Sequence, residues 1–144
     1  MAALHRRPSE PEAILSAHDA QRLRQTCPDL QDWPAQWQFE PADLAVGHQI
    51  VQAFTPFLIA LLDQGLVMKT LRRHRDNLWL LGGELIRRRY DDDALARMAA
   101  IAALQELVED DGGPLLCPHI TEAEQASLDA TCRKLHQFLQ RAHK

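Results

Sequence analysis

Residues 69–90 read KTLRRHRDNLWLLGGELIRRRY, and their spacing decides the fold class. Leu71, Leu78, Leu81 and Leu85, with His74 filling the gap, recur at steps of three and four, the spacing of one buried helical stripe. The other faces carry Lys69, Arg72, Arg73, Arg75, Arg87, Arg88 and Arg89 against Asp76 and Glu84, a local balance of +5. The whole chain is −4, so everything outside this window sums to −9. A helix of this kind gives its leucines to a core and its cations to a surface.

Gly82-Gly83 interrupts the pattern. Each glycine costs about 1 kcal/mol relative to alanine in a helix interior, so the pair needs a physical reason. Close packing against another helix is the first reading and a bend the second. A phosphate loop is the weakest reading, because no strand precedes the pair and no GK[ST] follows it.

Working upstream, Leu44, Val46, Ile50, Val51, Phe54, Phe57, Leu58, Leu61 and Leu62 form a broad stripe. That predicts a central buried helix from about Leu44 to Gln64, capped by Asp43 or its neighbours and stopped by Gly65. Pro56 should kink or divide it. From Pro28 to Pro41 the chain reads as a loop punctuated by prolines, with Trp33, Trp37 and Phe39 between them. These aromatics either pack over the core edge as a lid, the preferred reading, or form an exposed patch for a protein partner through Trp33 and Trp37. Further upstream, Ser9-Glu10-Pro11-Glu12 resembles a capping box and predicts a helix from near Glu10 to just before Cys27. Residues 1–8 are expected to form a flexible arm.

Downstream, Asp91-Asp92-Asp93 caps a helix predicted from Ala94 to about Glu109, with Leu95, Met98, Ala102 and Leu104 to Val108 on its buried side. A divalent-metal cluster is the weaker reading of the three aspartates, since consecutive residues point in different directions. Glu109 to Pro114 is a turn. Thr121-Glu122-Ala123-Glu124 is another capping box, and the helix it opens should run to about Ala142 and bury Leu128, Cys132, Leu135, Phe138 and Leu139. The expected architecture is all-α: one compact bundle of about five helices over residues 9–144.

Composition agrees. Apolar content of 46% with 25% charged residues is enough to build a core, which argues against wholesale disorder. The net charge of −4 argues against a protein coated in nucleic acid, but leaves room for one basic face. Three cysteines without recurring spacing, Cys27, Cys117 and Cys132, are no disulfide framework and suit a reducing, cytoplasmic setting. The N-terminus lacks an apolar stretch of signal-peptide length, and the longest apolar run, Phe54 to Leu62, is broken and too short to span a bilayer, so no membrane partner is expected.

Candidate chemistry is sparse. Cys117, His119, Cys132 and His136 form C-x-H, twelve residues, then C-x3-H, donors that would suit structural zinc. The first pair has no common knuckle spacing and Cys132 also fits a core stripe, so an inert buried thiol is preferred and no metal or other cofactor is expected. His74 shares a face with Leu71 and Leu78 and reads as a packed histidine rather than a base. No G-x-S-x-G or H-E-x-x-H signature occurs, and no residue set asks for an enzyme. The basic helix remains, with a solvated or internally paired set of arginines as the bland alternative to a contact surface.

Residues 42–89, ADLAVGHQIVQAFTPFLIALLDQGLVMKTLRRHRDNLWLLGGELIRRR, resemble the core-binding domain of tyrosine recombinases and phage-type integrases. In that family a helix, a Gly-x-x-x-x-Thr connection and a second basic helix build a SAM-like domain that clamps DNA. Gly65, Thr70, Arg72, Arg73, His74 and Asn77 occupy that pattern here. The resemblance implies DNA binding without strand cleavage, in an accessory protein of a mobile element. The catalytic half has no room in 144 residues, and Tyr90, the single tyrosine, is not in the family's catalytic setting. The expected DNA-contacting residues are Lys69, Arg72, Arg73, Arg75, Asn77, Arg87, Arg88 and Arg89. A helical regulator or inhibitor that binds protein and no nucleic acid is the alternative.

Overall fold

The helical period around Leu71 to Leu85 extends through the computed structural model, which describes residues 15–142. Seven α-helices follow in order among the described residues: α1 Ala17–Thr26, α2 Trp33–Trp37, α3 Asp43–Asp63, α4 Met68–Arg89, α5 Asp93–Ala96, α6 Ala100–Leu107 and α7 Glu122–Ala142. The fold is all-α. An isolated backbone bridge between Glu109 and Gly112 closes the turn before α7.

Helices α3 and α4 form a hairpin at the centre. Gly65 stops α3 with φ at +71°, a left-handed conformation that favours glycine, and its N–H donates to Leu62 O. Pro56 does not divide α3, which runs unbroken to Asp63. The proline and Gln52, the residue whose carbonyl it leaves without a helical partner, are both exposed. By length and composition alone α3 could cross a membrane. That is a length the broken run Phe54–Leu62 does not suggest. In this fold its Ile50, Phe54, Phe57 and Leu61 fill the core.

The basic helix opens at Met68, ahead of Thr70, and buries the expected stripe of Leu71, His74, Leu78, Leu81 and Leu85, joined by Ile86. The glycine pair exists for a tryptophan. A Cβ placed on Gly82 would lie 2.3 Å from Trp37 Cζ2, and one on Gly83 3.2 Å from Trp37 Cδ1. Bare helix backbone at this point lets the indole of α2 lie flat against α4, where Trp37 Nε1 donates to Trp79 O at 2.9 Å.

Two regions differ from expectation, and together they account for the helices beyond five. The Pro28–Pro41 stretch is not all loop: a 3₁₀ turn over Leu30–Asp32 leads into α2, with Pro34 in its first turn where the missing N–H costs nothing. The helix expected over Ala94–Glu109 is broken at Arg97–Ala99 into α5 and α6. On one continuous helix Leu95 and Leu104 would point about 180° apart. The break lets both be buried, while Ala102 faces solvent. Asp92 caps α5 by accepting from Leu95 N at 3.1 Å.

At the ends of the chain, α1 begins after Ser16, whose hydroxyl accepts from Asp19 N. The arm at 1–8 and the start near Glu10 lie outside the described residues. The Thr121–Glu124 capping box is formed as read, with Thr121 N donating to Glu124 Oε1 at 2.8 Å and Glu124 N to Thr121 Oγ1 at 3.0 Å.

Candidate nucleic-acid interface

The cations of α4 divide into two groups. At its N-terminal end Lys69, Arg72 and Arg73 are exposed and make no ion pair or hydrogen bond among the described residues. They line an open cleft of about 870 Å³ whose other walls come from Trp33 and Gln36 on the α2 side and from Ile120 and Glu124 at the start of α7. Asp29, Asp76 and Glu124 also line it, and each already accepts hydrogen bonds from within the chain: Asp29 from Trp33 Nε1, Asp76 from Arg75, and Glu124 from Thr121 N. With Arg75, the cleft lining carries four cations against these three carboxylates, a small positive balance, and Lys69, Arg72 and Arg73 are the cations in it without an ion pair among the described residues.

Arg75 sits at the edge of this group but is held. Its Nη1 donates to Thr26 O at 3.1 Å, and Nε and Nη2 to Asp76 Oδ1. Asn77 lines the inner edge of the cleft but is largely enclosed. It is 9% exposed, and its Nδ2 donates to Ser127 O, Ser127 Oγ and Thr131 Oγ1 at 2.8–3.0 Å, joining α4 to α7. His74 belongs to the same buried set, with Nδ1 2.7 Å from Thr131 Oγ1. Burial, and then the charges of Lys134 and Arg73, hold its imidazole below the ordinary histidine value. That suits a neutral packing residue.

At the C-terminal end the arginines are spoken for. Arg87 donates to both oxygens of Glu84 and lies 3.5 Å from Asp91, and Arg88 Nε donates to Glu84 Oε2. Burial pushes the Glu84 carboxyl up, but these hydrogen bonds and charges outweigh it and hold the group below the usual carboxylate range. Arg89 donates to Ala96 O at 3.0 Å, fastening the end of α4 to α5. Arg87, Arg88 and Arg89 are thus tied within the chain in this structure, whereas Lys69, Arg72 and Arg73 are not.

Trp33 and Trp37 are 1% and 5% exposed, so they form the lid and offer no surface to a partner. Their N–H groups are satisfied internally, and the two rings pack 5.7 Å apart. The exposed tryptophan is Trp79, at 42%, which lines the cleft and donates its Nε1 to Gln36 Oε1 at 2.8 Å. The sequence carried a signal for it. Trp79 lies seven residues after Arg72, two turns on and within about 20° on the helix, so it belongs to the charged face rather than the leucine stripe.

No group of three or more His, Cys, Asp or Glu side chains among the described residues is placed to hold a metal ion, so Cys117, His119, Cys132 and His136 do not converge. Cys132 is fully buried, and a Cβ on Gly113 would lie 2.4 Å from its sulfur. Burial pushes its thiol up to about 12, and burial with the charge of Asp29 does the same for Cys27. Neither is a thiolate at neutral pH. Compared with protein-family models, curated proteins and solved structures, the chain gives no match.

Proposed function

We propose that this chain is a non-catalytic DNA-binding protein, of the kind that serves a mobile element as an accessory, and that it holds phosphates on the N-terminal half of α4. The observation that carries the reading is the placement of Lys69, Arg72 and Arg73 on one exposed face without intramolecular partners among the described residues. Guanidinium and ammonium groups without an ion pair, gathered on one face of an otherwise acidic chain, favour a polyanion through counterion release. The resemblance of residues 42–89 to a DNA-clamping helical pair points the same way.

A salt-dependent shift assay tests it. The intact protein should bind DNA at about 50 mM salt, with affinity falling linearly in log–log against salt. Arg72→Ala with Arg73→Ala should reduce that slope by about two. Absence of binding at low salt, or an unchanged slope in the double variant, rules the reading out.

A second reading, a helical protein-interaction module, draws on an apolar groove of about 520 Å³ between α3, α6 and α7, lined by Pro56, Ile101 and Phe138. It would be favoured by a protein that ignores DNA at every salt concentration.

A further inference from the structure

The cleft beside Arg72 combines three features that a duplex cannot use together. It is concave, its basic side is continuous with an aromatic face, and that face belongs to Trp79. The indole is half open to solvent, yet it is oriented: its Nε1 is tied to Gln36, and the backbone carbonyl behind it accepts from Trp37. An oriented, exposed indole costs little to order on binding. Arg72, on the same side of the helix two turns earlier, is placed to meet a phosphate on the strand whose base covers the ring. Duplex DNA presents backbone and base edges in its grooves but keeps the base faces stacked inside. A single strand presents both a phosphate and a free π-face.

Resting on the DNA-binding reading, we propose that the preferred ligand is single-stranded DNA, with a base stacked on Trp79 and neighbouring phosphates on Lys69, Arg72 and Arg73. Gln36 is the positioning residue that holds the indole. The site needs no base-specific contact, so sequence preference should be weak.

Intrinsic fluorescence reads this directly, because Trp79 at 42% exposure supplies nearly all the indole surface open to a ligand, against 1% for Trp33 at the cleft wall and 5% for Trp37. Titration with a short oligo(dT) should quench the emission saturably, and Trp79→Phe should remove the quench while keeping affinity within about threefold. Trp79→Ala should weaken labelled oligo(dT) binding about tenfold and change duplex affinity less than twofold. The Trp37 hydrogen bond goes to the Trp79 carbonyl, so that variant keeps it. Circular dichroism checks that both variants are folded.

Equal loss for single strand and duplex in Trp79→Ala, or oligo(dT) binding that depends on Arg72 and Arg73 without any quench, overturns the stacking site and leaves the DNA-binding reading standing. Binding of neither form at low salt overturns both. Equal quenching by oligo(U) would show a site that does not distinguish RNA and would overturn the assignment to DNA. Equal quenching by poly-glutamate would overturn the nucleic-acid assignment altogether.

Discussion

The two ends of α4 carry similar charge and opposite fates. Lys69, Arg72 and Arg73 make no ion pair among the described residues, whereas Arg87 and Arg88 pair with Glu84 and Asp91 and Arg89 donates to the Ala96 carbonyl. The difference comes from neighbours rather than from arginine count. A basic helix is a binding surface only where its own fold has not supplied the counter-charges. The glycine pair marks the border, because Trp37 occupies the helix face between the two groups.

Disturbing that border should have the largest effect. Gly82→Ala places a methyl group inside the Trp37 ring, an overpacking cost of about 1–3 kcal/mol that outweighs the gain of about 1 kcal/mol in helix propensity where the ring cannot move. A net loss of up to about 2 kcal/mol lowers the melting temperature by up to about 7 °C at this chain length. A variant as stable as the parent would show that the indole has another place to go. Next comes the direct contrast. Arg72→Ala with Arg73→Ala should weaken DNA binding by about tenfold or more, roughly 1.4 kcal/mol, while Arg87→Ala with Arg88→Ala changes it less than twofold. Equal losses in a shift assay would erase the distinction between the ends.

The contrast can also be sharpened by releasing the second group. Glu84→Gln removes the anchor of Arg87 and Arg88 and should cost about 1 kcal/mol of stability, seen in thermal melts. The same variant should raise DNA affinity about twofold, since loss of the carboxylate adds one unit of positive charge to the field. The smallest effect concerns pH. The fold holds His74 neutral below the ordinary value of 6.5, so the unfolded chain takes up that proton first. This contribution to stability is intact above pH 6.5, declines as pH falls below it, and stops declining below the folded-state value. Denaturant midpoints from pH 7.5 to 5 should fall less in His74→Gln than in the parent; parallel curves would mean that His74 does not titrate in this range.

Local features of the sequence were readable because their causes are local. The capping box at Thr121, the stop at Gly65 and the leucine stripe of α4 depend on residues within a few positions of one another. The pairing of Glu84 with Arg87 and Arg88 is also at helical contact spacing, and was as legible as the caps. Other features depend on partners far away in the chain. Nothing near Asn77 indicates that Ser127 and Thr131 will enclose it, and nothing near Gly82 names Trp37. The break between α5 and α6 carries no glycine or proline at Arg97-Met98-Ala99. It is imposed by a core that takes Leu95 from one side and Leu104 from the other. The cleft is the hardest case, because three separate segments line it and Trp79 reads on its own as one more apolar residue in WLL.

Asp43 brings the two ends of the hairpin under one control. Its carboxylate accepts from Phe39 N, from Glu40 N and from the Tyr90 hydroxyl at 2.6 Å, so the first turn of α3 holds the residue that ends α4. Burial pushes this carboxyl up, but those three donors and the Arg89 charge hold it below its usual range. Phe39 packs edge-on against the Tyr90 ring, 5.5 Å between centroids. Helix ends ordinarily fray one at a time, each at little cost. Here the far end of the hairpin is clasped, so loosening the last turn of α4 also means releasing the first turn of α3. Amide exchange at the two termini should then share one opening event, and the Asp91–Asp93 segment that follows inherits a fixed point of departure.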